Sequence, residues 1–266
     1  GRLLGLPVVV LPLFHAADPY HHFRAIYRSF EGADRVLVQT PYAVDLFSRL
    51  FPRSRPVEAG VGIDPARFGP GRASGERFRE RHGLGSRPLV LCVGRKEPGK
   101  RWQVAVEAVE RLPRDDVTLV IIGRDVDRLP LSSSRVLYLE HVSEQELLDA
   151  YDACDALVFP SELESFGFVL LEAWMSTKPV IGSRHCGPVA SIVREGIDGL
   201  LAGDASDLAQ QLARLLADPV QRRRLGEAGR QRTLQRYTWD EIARRVEEVY
   251  RELAAARGRG RIAAAP

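Results

Sequence analysis

The stretch Ala156-Leu157-Val158-Phe159-Pro160-Ser161-Glu162-Leu163-Glu164-Ser165-Phe166-Gly167-Phe168-Val169-Leu170-Leu171-Glu172-Ala173 decides the reading of this sequence. An apolar run of strand length, 156–160, ends in a proline, a short polar loop follows, and a helical pattern starts near Phe166 and Gly167. The first turn of a helix has N–H groups without intrahelical partners, and its dipole adds partial positive charge. A strand leading into such a start is therefore a ready anion site. Gly167 allows close approach to the backbone. Glu164 lies in the loop, and Glu172 follows eight positions later inside the helix. A carboxylate accepts from two vicinal hydroxyls, as on a ribose or a hexose. The pair suits a ligand with sugar, diphosphate and sugar in a row. The spacing is equally compatible with a plain structural role, Glu164 favouring the helix start and Glu172 solvated on the helix.

The strand-then-helix alternation extends outward in both directions. Strand-length apolar runs fall at 7–14, 35–39, 89–94, 117–123, 136–139 and 179–182. Helical spacing over 102–112 places Val104, Ala105, Ala108 and Val109 on one face. Over 143–154 it does the same for Leu147, Leu148, Tyr151 and Cys154, with Ser143 and Glu146 as a capping box. Such alternation predicts an α/β fold with mostly parallel sheets covered by helices on both faces. Ligands of doubly wound domains bind at the carboxyl ends of the strands. One such end, Val93-Gly94-Arg95, leads into Lys96-Glu97-Pro98-Gly99-Lys100-Arg101-Trp102 and a helix. Arg95, as a planar fork, and Lys100, as a point charge, could clamp a diphosphate there. Basic residues in a turn are also commonly just solvated.

The 266 residues fit two α/β domains of ordinary size, or one large one. With 45% apolar and 27% charged residues, a disordered or collagen-like chain is excluded. A net charge of +3 gives no argument for nucleic acid, although a pI near 8.9 suits anionic small ligands. Cys92, Cys154 and Cys186 lie far apart without zinc spacing, which points to a reducing compartment. No apolar run approaches the ~18 residues of a membrane span, and no signal-peptide pattern is present. The expectation is a cytoplasmic protein, with peripheral contact to the inner membrane face through the basic, aromatic stretch 21–30 as a further option beside a solvated helix. The chain opens at Gly1 and its only methionine is Met175, so it reads as a fragment. A Gly- and Pro-punctuated passage over 57–75 marks a boundary, with only two clear strands before it. Residues 1–62 then form the end of an incomplete first domain, 63–236 a complete second one, 237–254 a closing helix, and 255–266 a disordered tail.

These pieces resemble, in order, the retaining family 4 glycosyltransferases. The matching residues are Gly60-Val61-Gly62-Ile63-Asp64 with Phe68, Val93-Gly94-Arg95 with Lys100, and Val142-Ser143-Glu144. They continue with 151–161, the Glu164 and Glu172 pair, Lys178-Pro179-Val180-Ile181-Gly182, and Gly196-Ile197-Asp198-Gly199-Leu200-Leu201. The resemblance implies the GT-B fold, two Rossmann-like domains with parallel sheets, the first incomplete here. It implies an enzyme, a hexosyltransferase moving sugar from a nucleotide-diphosphate donor to a glycan, lipid or small-molecule acceptor. No cofactor, no metal and no nucleic acid enter that picture. By the same resemblance Arg95 and Lys100 hold the diphosphate, Glu172 the ribose, and Glu164 faces the transferred sugar. Backbone at Gly167, Phe168 and Val169 meets the phosphates, Val142 borders the base, and His15, rivalled by His21 and His22, reaches the donor from the first domain. An epimerase of the same fold, or a binding module without activity, are the alternatives.

Three features depart from the family's pattern. Ser191 stands where an acid is common, Arg124 follows Gly123, and the Gly-rich loop expected early in the first domain is absent. Asp125-Val126-Asp127 spells a pair that binds metal in another transferase fold, but after a strand in this context it is expected to be a surface turn.

Overall fold

Val36, Leu37 and Val38 show how the first unit is built. In a strand, side chains alternate between faces, and these three divide accordingly between two cores. The computed structural model describes residues 6–14, 23–69 and 71–263, the last six of these as helical backbone only. It divides into two compact units, Gly1–Gly62 with Arg236–Pro266, and Ile63–Gln235.

In the first unit, strands β1 (Val9–Val10), β2 (Arg35–Val38) and β3 (Pro56–Glu58) form a parallel sheet in the order β1-β2-β3. Val36 and Val38 pack with Phe14 and with Phe30 of helix α1 (Arg24–Gly32). Phe47 of α2 (Pro41–Leu50) and Phe51 complete that core. The four phenylalanine rings meet with centroids 5.0 to 5.9 Å apart. Phe30 of the basic, aromatic stretch is thus a core residue, and Tyr27 meets Phe51 edge-on. Leu37 faces the other way, onto Ala59 and Val249.

Three sequence expectations change here. The strand read over 7–14 is confined to two ladder residues, because Pro7 and Pro12 have no N–H to donate. A third strand, β3, lies at the expected connector, too short to signal itself. The closing helix α10 runs Trp239–Ala263, so residues 255–263 of the segment read as a disordered tail continue it, and 264–266 lie outside the described residues. Ala254, Ala255 and Ala256 are strong helix formers, and the helix tolerates Gly258 and Gly260 at about 1 kcal/mol each.

The second unit begins with Ile63 and α3 (Gly75–Arg81). Its six strands are β4 (Leu89–Val93), β5 (Thr118–Ile122), β6 (Val136–Leu139), β7 (Ala156–Phe159), β8 (Val180–Ser183) and β9 (Gly199–Ala202). All pair in parallel, in the order β6-β5-β4-β7-β8-β9. Val90, Cys92, Leu119, Ile121 and Val158 pack on α4 (Trp102–Glu110) and α8 (Ala205–Ala217). The alternate residues Leu89, Leu91, Val120 and Leu157 are buried on the opposite face. Helix α5 (Glu144–Ala153) starts on Ser143, whose Oγ accepts from the Glu146 N–H at 3.1 Å. The reciprocal half of the expected capping box is missing, because the Glu146 carboxylate goes to His82 and Arg81.

The last helix of the unit, α9 (Pro219–Arg236), is rich in arginine. Three of its arginines reach backbone carbonyls at helix ends: Arg222 takes Leu215 and Leu216 at the end of α8. Arg230 takes Met175 at the end of α6 (Phe168–Met175), and Arg232 takes Ile192 at the end of α7 (Gly187–Ile192). Three helix C-termini thus receive cations where orphan carbonyls and the dipole favour them.

Candidate functional site

The strand order reverses between β4 and β7, which opens a crevice outside their carboxyl ends. Two loops border it, 94–101 after β4 and 160–167 after β7. The first contains a 3-10 turn, Pro98–Lys100, and ends on Arg101 in the left-handed region (φ 49°). The second is tied to it directly: the carbonyl of Gly99 accepts from the Glu162 N–H at 3.0 Å and from the Ser161 hydroxyl at 3.2 Å. Arg101 forms an ion pair with Glu162.

Of the four side chains expected to carry chemistry, two touch. Lys100 Nζ donates to Glu164 Oε1 at 2.5 Å, with the side chains 20% and 11% exposed. Lys100 also lies over the ring of Phe159, 6.0 Å from its centroid. Arg95 remains 63% exposed and pairs with Glu97 at 3.0 Å. Glu172 is half-buried on α6, where its Oε2 accepts from the hydroxyl of Tyr151 at 2.7 Å. Tyr151 is fully buried, and burial, followed by the Glu172 charge, pushes its ionisation well above the ordinary tyrosine range. Its proton therefore stays on the hydroxyl and the bond to Glu172 has one direction. Glu172 is not the merely solvated residue that its spacing also allowed.

Helix α6 begins at Phe168, half-exposed, followed by half-buried Val169. Gly167 caps it with φ 103°, and a Cβ there would meet Phe159 Cε1 at 2.8 Å. Glycine is thus required by conformation and packing as well as by any ligand. Val142 lies half-buried between β6 and α5. His15, with His21 and His22, lies outside the described residues.

The pair Asp125 and Asp127 differs from the surface turn expected of it. Both carboxylates face Lys96, at 2.8 Å for Asp125, and the Asp127 side chain is 5% exposed. Asp127 Oδ2 also accepts from Trp102 Nε1 at 2.7 Å. Lys96 was legible only as one more turn lysine. Nothing local marks it, since its partners lie on the next loop of the sheet. Ser191, the departure in the loop after β8, turns its hydroxyl onto the Pro188 carbonyl within its own helix. Burial pushes the Cys92 and Cys154 thiols up to about 12 and Cys186 to about 11, so none supplies a thiolate. Among the described residues no group of three or more His, Cys, Asp or Glu is placed to hold a metal ion. Among them, no helix is long and apolar enough to cross a membrane.

Comparison with known proteins bears on the fold and the family of the chain. A phosphatidylinositol monomannoside mannosyltransferase of Mycolicibacterium smegmatis, described as GDP-mannose-dependent and α-(1-6), is 29% identical over 244 residues. The match covers 85% of this chain and 64% of that protein. A D-inositol 3-phosphate glycosyltransferase of Streptomyces bingchenggensis is 33% identical over 248 residues, 83% of this chain and 53% of that one. The chain thus spans less than two thirds of the length of either relative. Among solved structures, sucrose-phosphate synthase of Thermosynechococcus elongatus superposes with a TM-score of 0.76 at 25% identity, covering 93% of this chain and 68% of its own. Anabaena HepE in complex with UDP gives 0.79 at 20% identity, covering 94% and 74%. The fold is the GT-B type, with the first Rossmann-like domain incomplete in this chain. The family model for glycosyl transferases group 1 matches residues 74–232, more than half of the sequence and nearly all of the second unit. The chain belongs to that family.

Proposed function

We propose that this chain carries the donor site of a retaining glycosyltransferase that moves a sugar from a nucleotide diphosphate to an acceptor hydroxyl without a metal ion. The observation that carries the reading is the contact of Lys100 with Glu164 at the crevice between β4 and β7. It sets a cation for a diphosphate against a carboxylate for a sugar, beside the start of α6. The named relatives, one dependent on GDP-mannose and one solved with UDP, support a nucleotide donor. The acceptor is a sugar, a lipid or a small molecule, and the setting is cytoplasmic.

In the transfer, the bond from the anomeric carbon to the diphosphate oxygen breaks and its electron pair stays on the phosphate. Lys100, Arg95 and the N–H groups around Gly167, Phe168 and Val169 meet that developing charge, each contact contributing on the order of 2–4 kcal/mol. The acceptor oxygen bonds to the anomeric carbon on the same face, and its proton passes to the departing phosphate. Glu164 stabilises positive charge at the anomeric carbon or positions the sugar's hydroxyls. Glu172 accepts from the ribose and Val142 borders the base.

Calorimetry with UDP, GDP and ADP in the presence of a chelator tests this. One nucleotide is expected to bind at micromolar concentration. The double variant Arg95→Ala/Lys100→Ala is expected to lose at least ~100-fold, since hydrogen bonds to charged groups contribute about 1.5–3 kcal/mol each. A folded chain that binds none of the three contradicts the proposal. Tyr151→Phe checks the ribose assignment. Releasing Glu172 should weaken the ribonucleotide about 3- to 10-fold, the equivalent of one neutral hydrogen bond. The 2′,3′-dideoxy analogue, which offers Glu172 no hydroxyl, should be unaffected, and an equal loss for both nucleotides would remove Glu172 from the ribose.

A further inference from the structure

We infer that Lys96 is a positioning residue for the diphosphate-binding loop; the inference rests on the donor site proposed above. Its side chain is 1% exposed, yet it holds a charge. Its ammonium has three N–H donors, and each has an acceptor: Asp125 at 2.8 Å, Asp127, and the Leu129 carbonyl at 2.7 Å. The indole of Trp102 closes the remaining side, 4.9 Å from Nζ to the ring centroid. The backbone is fixed as well. Lys96 N–H donates to the Arg124 carbonyl at 2.8 Å, and its own carbonyl accepts from Val126 and Asp127, both at 3.0 Å.

Burying an ammonium costs several kcal/mol before any pairing, so a packing role alone would be served better by an apolar side chain. Nor does the group help an anion to bind by its charge. One ammonium between two carboxylates leaves a local net charge of −1, the wrong sign beside a diphosphate. What the arrangement does supply is position. Lys96 stands next to Arg95 in the chain and four residues before Lys100. Through Trp102, which is bound to Asp127 and is the first residue of α4, it also fixes where that helix begins. The two cations assigned to the diphosphate are therefore carried on a loop pinned at Lys96 to the loop after β5, and at Gly99 to the loop after β7.

Charge and position predict opposite signs in the triple variant Lys96→Met/Asp125→Asn/Asp127→Asn. It removes one positive and two negative charges, so electrostatics alone would tighten anion binding. If Lys96 positions the loop, binding weakens. The readout is the ratio of the nucleoside monophosphate Kd to the nucleoside diphosphate Kd, for whichever of UDP, GDP or ADP the wild type binds. This ratio isolates the second phosphate from base and ribose. It is expected to fall at least ~10-fold in the triple variant and in Lys96→Met. Asp125→Asn, at the more exposed partner, keeps two of the three ammonium bonds. It is expected to lower the ratio about 3-fold at an unchanged melting temperature, and speaks even where the other variants do not fold. A ratio that stays at the wild-type value in any of these folded variants overturns the positioning role while leaving the donor site standing. A wild type that binds no nucleotide overturns both.

Discussion

Gly229→Ala is expected to lower the melting temperature of the second unit by roughly 5 °C or more. Gly229 lies on α9 against Trp174, and a Cβ added there would fall within 3.0 Å of three indole atoms, Cγ, Cδ1 and Nε1. The indole cannot retreat. It is fully buried, and its Nε1 donates to the Asp198 carbonyl at 2.7 Å. Asp198 is itself buried and takes Arg194 at 2.6 Å and Arg232 at 3.1 Å. Moving the ring would leave a buried carbonyl unpaired, at about 1–3 kcal/mol. Keeping it in place means overpacking, at about 1–3 kcal/mol or more. Either way a loss of about 2 kcal/mol or more follows, and in domains of ~150–250 residues each kcal/mol shifts the midpoint by about 2–4 °C. Gly226, whose Cβ would meet the Thr177 carbonyl, adds a second close approach on the same helix. Glu227→Ala, between them and exposed, is the control and should move the midpoint by no more than about 1–2 °C. Scanning calorimetry of both variants decides the matter. Equal midpoints would mean that α9 does not lie on Trp174 in this way.

That contact was not readable in advance, and the reason applies to much of what was missed. A glycine inside a helical run signals only a lower helix propensity, while its cause sits on another helix far away in sequence. Lys96 and the α9 arginines are similar cases. Each is a charged residue whose type implies solvent, and each is claimed by groups that only the fold brings near. What was legible was local. Arg95 and Lys100 follow a strand of unbroken apolar residues, and Glu164 precedes a helix start that Gly167 marks. Their meeting at the crevice then follows from the reversal of strand order between β4 and β7, which alternation of strand and helix implies without stating. The contact of Tyr151 with Glu172 was half visible. Both lie on helices flanking β7, but Tyr151 counted only as one apolar position on the face of α5. Short strands were lost for another reason: β3 has three residues and starts on a proline, and β9 starts on a glycine.

Glu164→Gln is expected to separate binding from turnover. The substitution keeps size and shape and removes only the charge that Lys100 meets at 2.5 Å. Without that partner, Lys100 is freer to turn to a diphosphate, so nucleotide-diphosphate affinity should stay equal or rise a few-fold. Turnover, followed as transfer from or hydrolysis of the nucleotide sugar, should fall ~100- to 1000-fold. That loss corresponds to about 3–4 kcal/mol of charge stabilisation at the anomeric carbon, the size of one well-placed electrostatic contact in a water-poor site. Lys100→Met behaves differently, because it removes a diphosphate contact present before and during bond breaking, so affinity and turnover fall together. The two variants break the same ion pair from opposite ends. A purely structural ion pair would give them the same phenotype, with both quantities lowered through a disordered loop. A kcat that falls while nucleotide affinity is kept or raised in Glu164→Gln therefore assigns the carboxylate to the reacting sugar. A turnover within about twofold of the wild type would leave Glu164 with no task beyond holding Lys100.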